Sequence, residues 1–178
     1  MKKLKVFALA LVAAFGFAAC GEEDEPEATD LYSYSAAETV QMGGSASSFG
    51  SFYTFSNGAQ TKAQLTENAA EANVVFCFST LTDQISFISG SEATNEIVKE
   101  ACKNSVTKFV EIGSADTKKF EKADFSAGTS TFAIDKKVLN GKNAVAFKND
   151  KCQGFFEIVE FDEASTDLTL KIWIATAK

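Results

Sequence analysis

Histidine and arginine are both missing from the 178 residues, so every basic side chain is lysine. The loss of His removes the commonest general base near neutral pH and the commonest metal ligand. The loss of Arg removes the planar, two-pronged clamp for phosphate or carboxylate. Carboxylate- and lysine-based chemistry stays open. Proline occurs once, at Pro26, and tryptophan once, at Trp173. The cysteines, Cys20, Cys77, Cys102 and Cys152, show no CxxC or other metal-ligand spacing, and no nucleophile motif surrounds them. No apolar run is long enough to span a bilayer as a helix. With no His, and with Met42 the only methionine after residue 1, haem ligation is disfavoured. These absences predict no catalytic residue, no metal and no cofactor.

What is present begins with the leader. Lys2, Lys3 and Lys5 precede an uncharged run from Val6 to Phe17, and small residues then lead to Cys20. That is the layout of a secretory signal peptide. Removing those three lysines takes the formal charge from −7 to −10 for residues 20–178. Six of the acids fall between Glu22 and Asp30, so the rest is only mildly acidic and carries no nucleic-acid footprint. The acidic run Gly21–Glu27 cannot bury apolar surface and repels itself, which predicts an extended tether stiffened at Pro26. The expected organisation is a signal peptide (1–19), a cysteine with its acidic tether (20–30), and one globular domain (31–178).

Within that domain the hydrophobic periodicity predicts α+β: a mainly antiparallel sheet with two principal helices. Thr39–Met42 alternates as a strand, and the aromatic stretch Phe49–Phe55 follows as another. Asn57-Gly58 is a hairpin turn. Thr61 and Gln64 fit a capping box that opens a helix ending near Ala72. Asn73–Ser79 is a continuous apolar run, expected as a central strand covered on both faces, with Cys77 buried in it. Ile85–Ile88 is a short strand. Ser89-Gly90-Ser91-Glu92 fits a second capping box, followed by Ala93, Ile97, Val98, Ala101 and Cys102 at helical spacing. Val106–Ile112 reads as a strand, and Ser114–Asp124 holds at most a short helix docked through Phe120. Thr131–Ile134 and Ala144–Phe147, the latter after an Asn140-Gly141 turn, are short strands. Phe155–Phe161 and Leu168–Ala175 form a final hairpin, with Leu168, Leu170, Ile172 and Ile174 opposite Thr169, Lys171 and Trp173. Geometry decides whether Cys102 and Cys152 pair.

Two resemblances add to this. Phe17-Ala18-Ala19-Cys20 resembles the bacterial lipobox, with Phe17 in place of the usual Leu; it implies a lipid thioether on Cys20 and cleavage before it. The acids Glu22, Glu23, Asp24 and Glu25 resemble the surface-export signal of Bacteroidota lipoproteins, implying display on the outer leaflet of the outer membrane. The pattern from Thr39 to Ala175 also resembles a domain of Bacteroidota surface lipoproteins that has no known activity. It rests on Met42-Gly43, Gly50-Ser51-Phe52, Asn57-Gly58, the helix from Lys62 and the run from Asn73 to Phe76. Phe147-Lys148, the segment Gly154–Val159 and the closing alternating strand complete it. What it implies is location and fold, with no catalytic residue to carry over.

The expected function is therefore an outer-membrane-anchored surface lipoprotein that serves as a non-catalytic binding or accessory module. Its partners are the membrane, through the lipid on Cys20, and a surface protein or glycan. Trp173, Tyr32 and Tyr34 are the candidate binding residues. Phe49, Phe52, Tyr53 and Phe55 could extend an aromatic platform, although core packing suits the phenylalanines better. The alternative is a carboxylate-based surface enzyme such as a glycoside hydrolase. It would draw on Glu157, Glu160, Asp162, Glu163 and Asp167, and needs two acids across a cleft. The spacing of these acids does not match an EF-hand, and a solvated strand edge is the simpler reading.

Overall fold

The computed structural model describes residues 31–44, 47–55, 58–61, 64, 74–81, 83–139 and 143–178. The signal peptide, Cys20 and the acidic tether lie outside the described residues, as do Asn57, the Asn140-Gly141 turn and, apart from Gln64, the helix expected from Lys62 to Ala72.

The chain forms two antiparallel sheets rather than one. The larger has β1 (Tyr32–Tyr34) and β2 (Glu38–Gly43) pairing with successive halves of β11 (Asp167–Ala177). Beyond β11 lie β10 (Gln153–Asp162), β9 (Asn143–Lys148) and β7 (Lys108–Glu111). The smaller sheet runs β4 (Gly58–Gln60), β3 (Phe52–Thr54), β5 (Val74–Thr80), β6 (Gln84–Ser89) and β8 (Thr131–Asp135). The predicted alternation in β11 puts Leu168, Leu170 and Ile172 inward, together with Val40 and Met42 of β2 and Phe156 and Ile158 of β10. They meet Val75, Phe76, Phe78, Ile85 and Phe87 from the smaller sheet. Phe76 and Phe156 stand 5.3 Å apart between ring centroids, and Phe87 and Phe156 4.5 Å, so aromatic contacts stitch the two sheets face to face. Gly154 belongs to this packing: a Cβ there would fall 2.1 Å from the Trp173 carbonyl oxygen and 3.1 Å from the Phe147 ring.

Among the described residues, one α-helix packs on each outer face. α1 (Glu96–Cys102) is capped by Asn95, whose Oδ1 accepts from the N–H groups of Ile97 (3.0 Å) and Val98 (3.4 Å). It buries Val98 and Cys102 with Phe52, Val74, Cys77 and Ala93, on the outer side of the smaller sheet. α2 (Thr117–Glu121) is capped by Asp116, which accepts from Lys118 N–H at 2.8 Å and Lys119 N–H at 3.3 Å. Phe120 fastens it to the outer side of the larger sheet, as the sequence predicts.

Several expectations need correction. Ser89–Glu92 does not cap α1; it forms a separate 3-10 turn, Gly90–Glu92. Glu92 cannot reach back to the Ser89 N–H, which donates instead to the Ser130 carbonyl at 2.8 Å, and its carboxylate receives the Ser130 hydroxyl. Ile97 and Ala101 consequently face solvent. By contrast, Thr61 and Gln64 do form the reciprocal capping box: Gln64 Oε1 accepts from Thr61 N–H at 2.7 Å and Thr61 Oγ1 from Gln64 N–H at 3.4 Å. The strand expected across Phe49–Phe55 shrinks to three residues, leaving Phe49 and Phe55 exposed. Its hairpin to β4 is present, with Thr54 opposite Gly58 and Gly58 at φ +65°. Cys102 and Cys152 do not pair: Cys77, Cys102 and Cys152 are all buried free thiols, Cys102 on the buried face of α1 and Cys152 in the space between the sheets.

Candidate functional site

The three candidate binding residues come together on the outer face of the larger sheet. β1 lies against the end of β11, with Tyr32 opposite Ala177 and Tyr34 opposite Ala175. Both tyrosines pack edge-on against Phe120 of α2, at centroid distances of 5.5 and 6.0 Å. The Tyr34 hydroxyl donates to Glu121 Oε1 at 3.0 Å, tying β1 to the helix. Trp173 stacks on Phe155 of β10 (4.9 Å, 17° between planes), directly opposite it in register. Tyr32, Tyr34 and Trp173 are each half-buried. They are therefore the rim of an aromatic cluster and not free-standing rings. Tyr53, expected as an accessible tyrosine, is buried and stacks on Phe76 at 5.0 Å, because β3 turns it between the sheets.

This outer face has two halves. One is the aromatic half, where α2 lies over the sheet and the side chains of Tyr32 and Tyr34 pack against Phe120. In the other, α2 and its flanking turns end and the sheet carries polar side chains. Lys171 faces Thr39 on one side and Glu157 on the other, and Thr169 faces Gln41. Thr39, Gln41 and Lys171 are exposed, and Thr169 and Glu157 half-exposed. Trp173 stands at the seam, one outward position from Lys171. The residues sequence reasoning missed are Phe155, Thr39 and Gln41. The signal was the alternation of β2 against Val40 and Met42, which turns Thr39 and Gln41 outward.

The acidic cluster of the last hairpin does structural work. Asp162 Oδ1 accepts from Ala164 N–H at 2.9 Å and Asp162 Oδ2 from the Ser165 hydroxyl at 2.9 Å. These bonds, the Ala164 N–H first, hold its carboxyl below the usual range. Together they close a turn in which Thr166 adopts φ 60°. Asp167 Oδ1 accepts from Ser47 Oγ at 2.8 Å, fastening the loop after β2. Among the described residues no three His, Cys, Asp or Glu side chains are grouped to hold a metal ion.

Carboxylate chemistry needs a cleft with converging acids, and three clefts bear on it. A cleft of about 570 Å³ beside α1 is lined by groups such as Ser51, Ser79, Thr94 and Asn95, with no acid among its described residues. A cleft of about 440 Å³ at the β9–β10 turn holds one acid, Asp150, which accepts the Ser105 hydroxyl. Gln153 lines it too, with its Oε1 buried and unpartnered among the described residues. A cleft of about 230 Å³ holds Glu160 and Glu163 but is smaller than the roughly 300–1,000 Å³ of ordinary ligand pockets.

Comparison with known proteins finds no match: no protein family, curated protein or solved structure matches the chain. The described helices include none long and apolar enough to cross a membrane.

Proposed function

We propose that the chain is a lipid-anchored surface protein of the outer membrane whose folded domain binds a glycan rather than catalysing a reaction. The anchoring part rests on the leader, the cysteine at position 20 and the acids that follow it. Several acyl chains on one cysteine give stable attachment where a single chain is marginal.

The binding part rests on one observation: Trp173 is held on Phe155 at the seam between an aromatic half-face and a flat polar one. A half-exposed indole offers an apolar plane to the C–H face of a sugar ring. Thr39, Gln41, Thr169, Lys171 and Glu157, lying beside it in register, offer donors and acceptors to ring hydroxyls. Protein interfaces instead concentrate their charged groups at the rim and keep an apolar centre. A glycoside hydrolase remains the second reading, with Glu157 and Glu160 as its carboxylates; the flat setting of Glu157 counts against it.

Two measurements test this. Labelled fatty acid enters the wild type and not Cys20→Ala; equal labelling of both removes the anchor. Polysaccharide panels in native affinity gels retard the wild type, and Trp173→Ala together with Lys171→Ala abolishes the retardation. Turnover of a glycan that is lost in Glu157→Gln would establish the enzyme in place of the binder.

A further inference from the structure

The polar half-face beside Trp173 carries two opposite charges that do not pair with each other. Along β11 the outward positions are Trp173, Lys171 and Thr169, each about 6.7 Å from the next at the usual strand rise. On β10, Phe155 stands opposite Trp173, Glu157 opposite Lys171 and Glu160 opposite Thr169. On β2, Thr39 stands opposite Lys171 and Gln41 opposite Thr169. Opposite charges placed this way across a strand pair usually attract. Yet Lys171 and Glu157 form no ion pair, and neither is engaged by another group among the described residues.

Other charges near this row are engaged or lie elsewhere. Glu38 is on the side of β2 shared by Val40 and Met42, away from the row. Asp167 accepts the Ser47 hydroxyl, Glu121 accepts the Tyr34 hydroxyl, and Lys148 lies over the Phe125 ring. Glu160 is exposed, one row further from Trp173 than Glu157. Phe155 covers one face of the Trp173 indole; the other face carries no ring or lysine among the described residues.

We infer that Lys171 and Glu157 make this surface selective for neutral glycans, by clasping adjacent hydroxyls of one pyranose ring stacked on the free face of Trp173; this rests on the glycan-binding reading above. A hydroxyl both donates and accepts. One hydroxyl of a neighbouring pair donates to the Glu157 carboxylate while the other accepts from the Lys171 ammonium. Both charges are then satisfied at once, by the stronger, charge-assisted kind of hydrogen bond. A uronic acid or a sulfated sugar suits Lys171 but sets a like charge against Glu157. An amino sugar suits Glu157 but sets a like charge beside Lys171, the outward neighbour of Trp173 on its own strand. Only one indole face is open, so a single ring stacks, and Thr39, Gln41 and Thr169 meet the hydroxyls of the units beyond it.

The test titrates the full-length protein, in detergent micelles, with oligosaccharides of glucose and mannose, with oligogalacturonate and with chitosan oligomers. The buffer is mildly acidic, so that the chitosan amines are protonated. Trp173 is the only tryptophan in the chain, so its emission reports the site directly. The expected result is a saturable emission change with a neutral oligosaccharide. Both charged classes should bind at least about tenfold more weakly, the effect of losing one hydrogen bond to a charged group. Glu157→Gln should strengthen oligogalacturonate and Lys171→Gln should strengthen chitosan, while each weakens the neutral ligand; melting curves check that both variants fold. A purely structural role for either residue would not exchange one preference for the other. Equal or tighter binding of a charged class by the wild type overturns the selectivity and leaves glycan binding in place. Preferences unchanged in both variants overturn the clasp. No emission change with any of the three classes removes the glycan-binding reading itself, and this inference with it.

Discussion

Phe155 and Phe156 are neighbours on β10, alike in chemistry and both buried, yet they belong to different layers. Phe156 faces inward among Phe76, Phe87 and Phe147. Phe155 faces outward and packs against Trp173, Tyr34 and Phe120. The inner layer is closed by the second sheet, whose Val75, Phe76, Phe78, Ile85 and Phe87 pack against it. Among the described residues the outer layer is covered by the five-residue α2, with Tyr32 and Tyr34 of the edge strand β1 packing beside it, so its rim stays partly open. The difference teaches where this protein can present aromatic surface: not where its phenylalanines are densest, but where its cover runs out.

Truncation on the two sides should separate them. Phe156→Ala opens a cavity that neither sheet can collapse into, and should cost about 3–5 kcal/mol in denaturant melts. Phe120→Ala, which loosens a single short helix, should cost less, about 1.5–3 kcal/mol. Equal losses would mean that the outer layer is as firmly packed as the core.

The thiols sharpen the same contrast, because one lies in each kind of layer. Cys152, between the sheets, and Cys77, beneath α1, are both pushed up to about 12, chiefly by burial. A raised native value means that the unfolded chain loses these protons first as pH rises. Stability is therefore fully present below the ordinary thiol value of 9.0 and falls between there and about 12. Each thiol contributes a slope of about 1.4 kcal/mol per pH unit in that window. Cys77→Ala and Cys152→Ala should each flatten the alkaline decline by one such slope. An unchanged decline for Cys77→Ala would show that the α1 layer admits water.

The smallest effect is expected at the rim. Tyr34→Phe removes the hydrogen bond to Glu121 and should cost about 0.5–1.5 kcal/mol, while hydrogen exchange in β1 should accelerate more than in β10. If exchange in β1 stays unchanged, the strand is held by its pairing with β11 alone.

Much of this was legible in the chain. The run Val74–Phe78 is too apolar for either face to meet water, and these five residues are buried in the middle strand of the smaller sheet. The alternation of β11 separated its inward aliphatics from Trp173 correctly. Phe120 stood out because it is a large apolar residue in a polar segment. The division into two sheets was not legible. Each strand shows which face it buries but not which strand lies opposite that face, since the pairing partners are far apart in sequence. The Ser89–Glu92 signal misled for a similar reason: a local capping pattern lost its partner to the Ser130 carbonyl, supplied by a distant segment.

The sequence by itself determined the leader pattern, the charge of the tether, the absence of His and Arg chemistry, and the strand and helix periodicities. These depend on composition and on neighbours a few residues apart. Only the tertiary structure decided that Tyr32, Tyr34 and Trp173 share one rim, that Tyr53 does not, and that Cys102 and Cys152 lie apart. Those outcomes depend on register between strands more than a hundred residues apart, such as Tyr32 against Ala177, and no local pattern encodes that register.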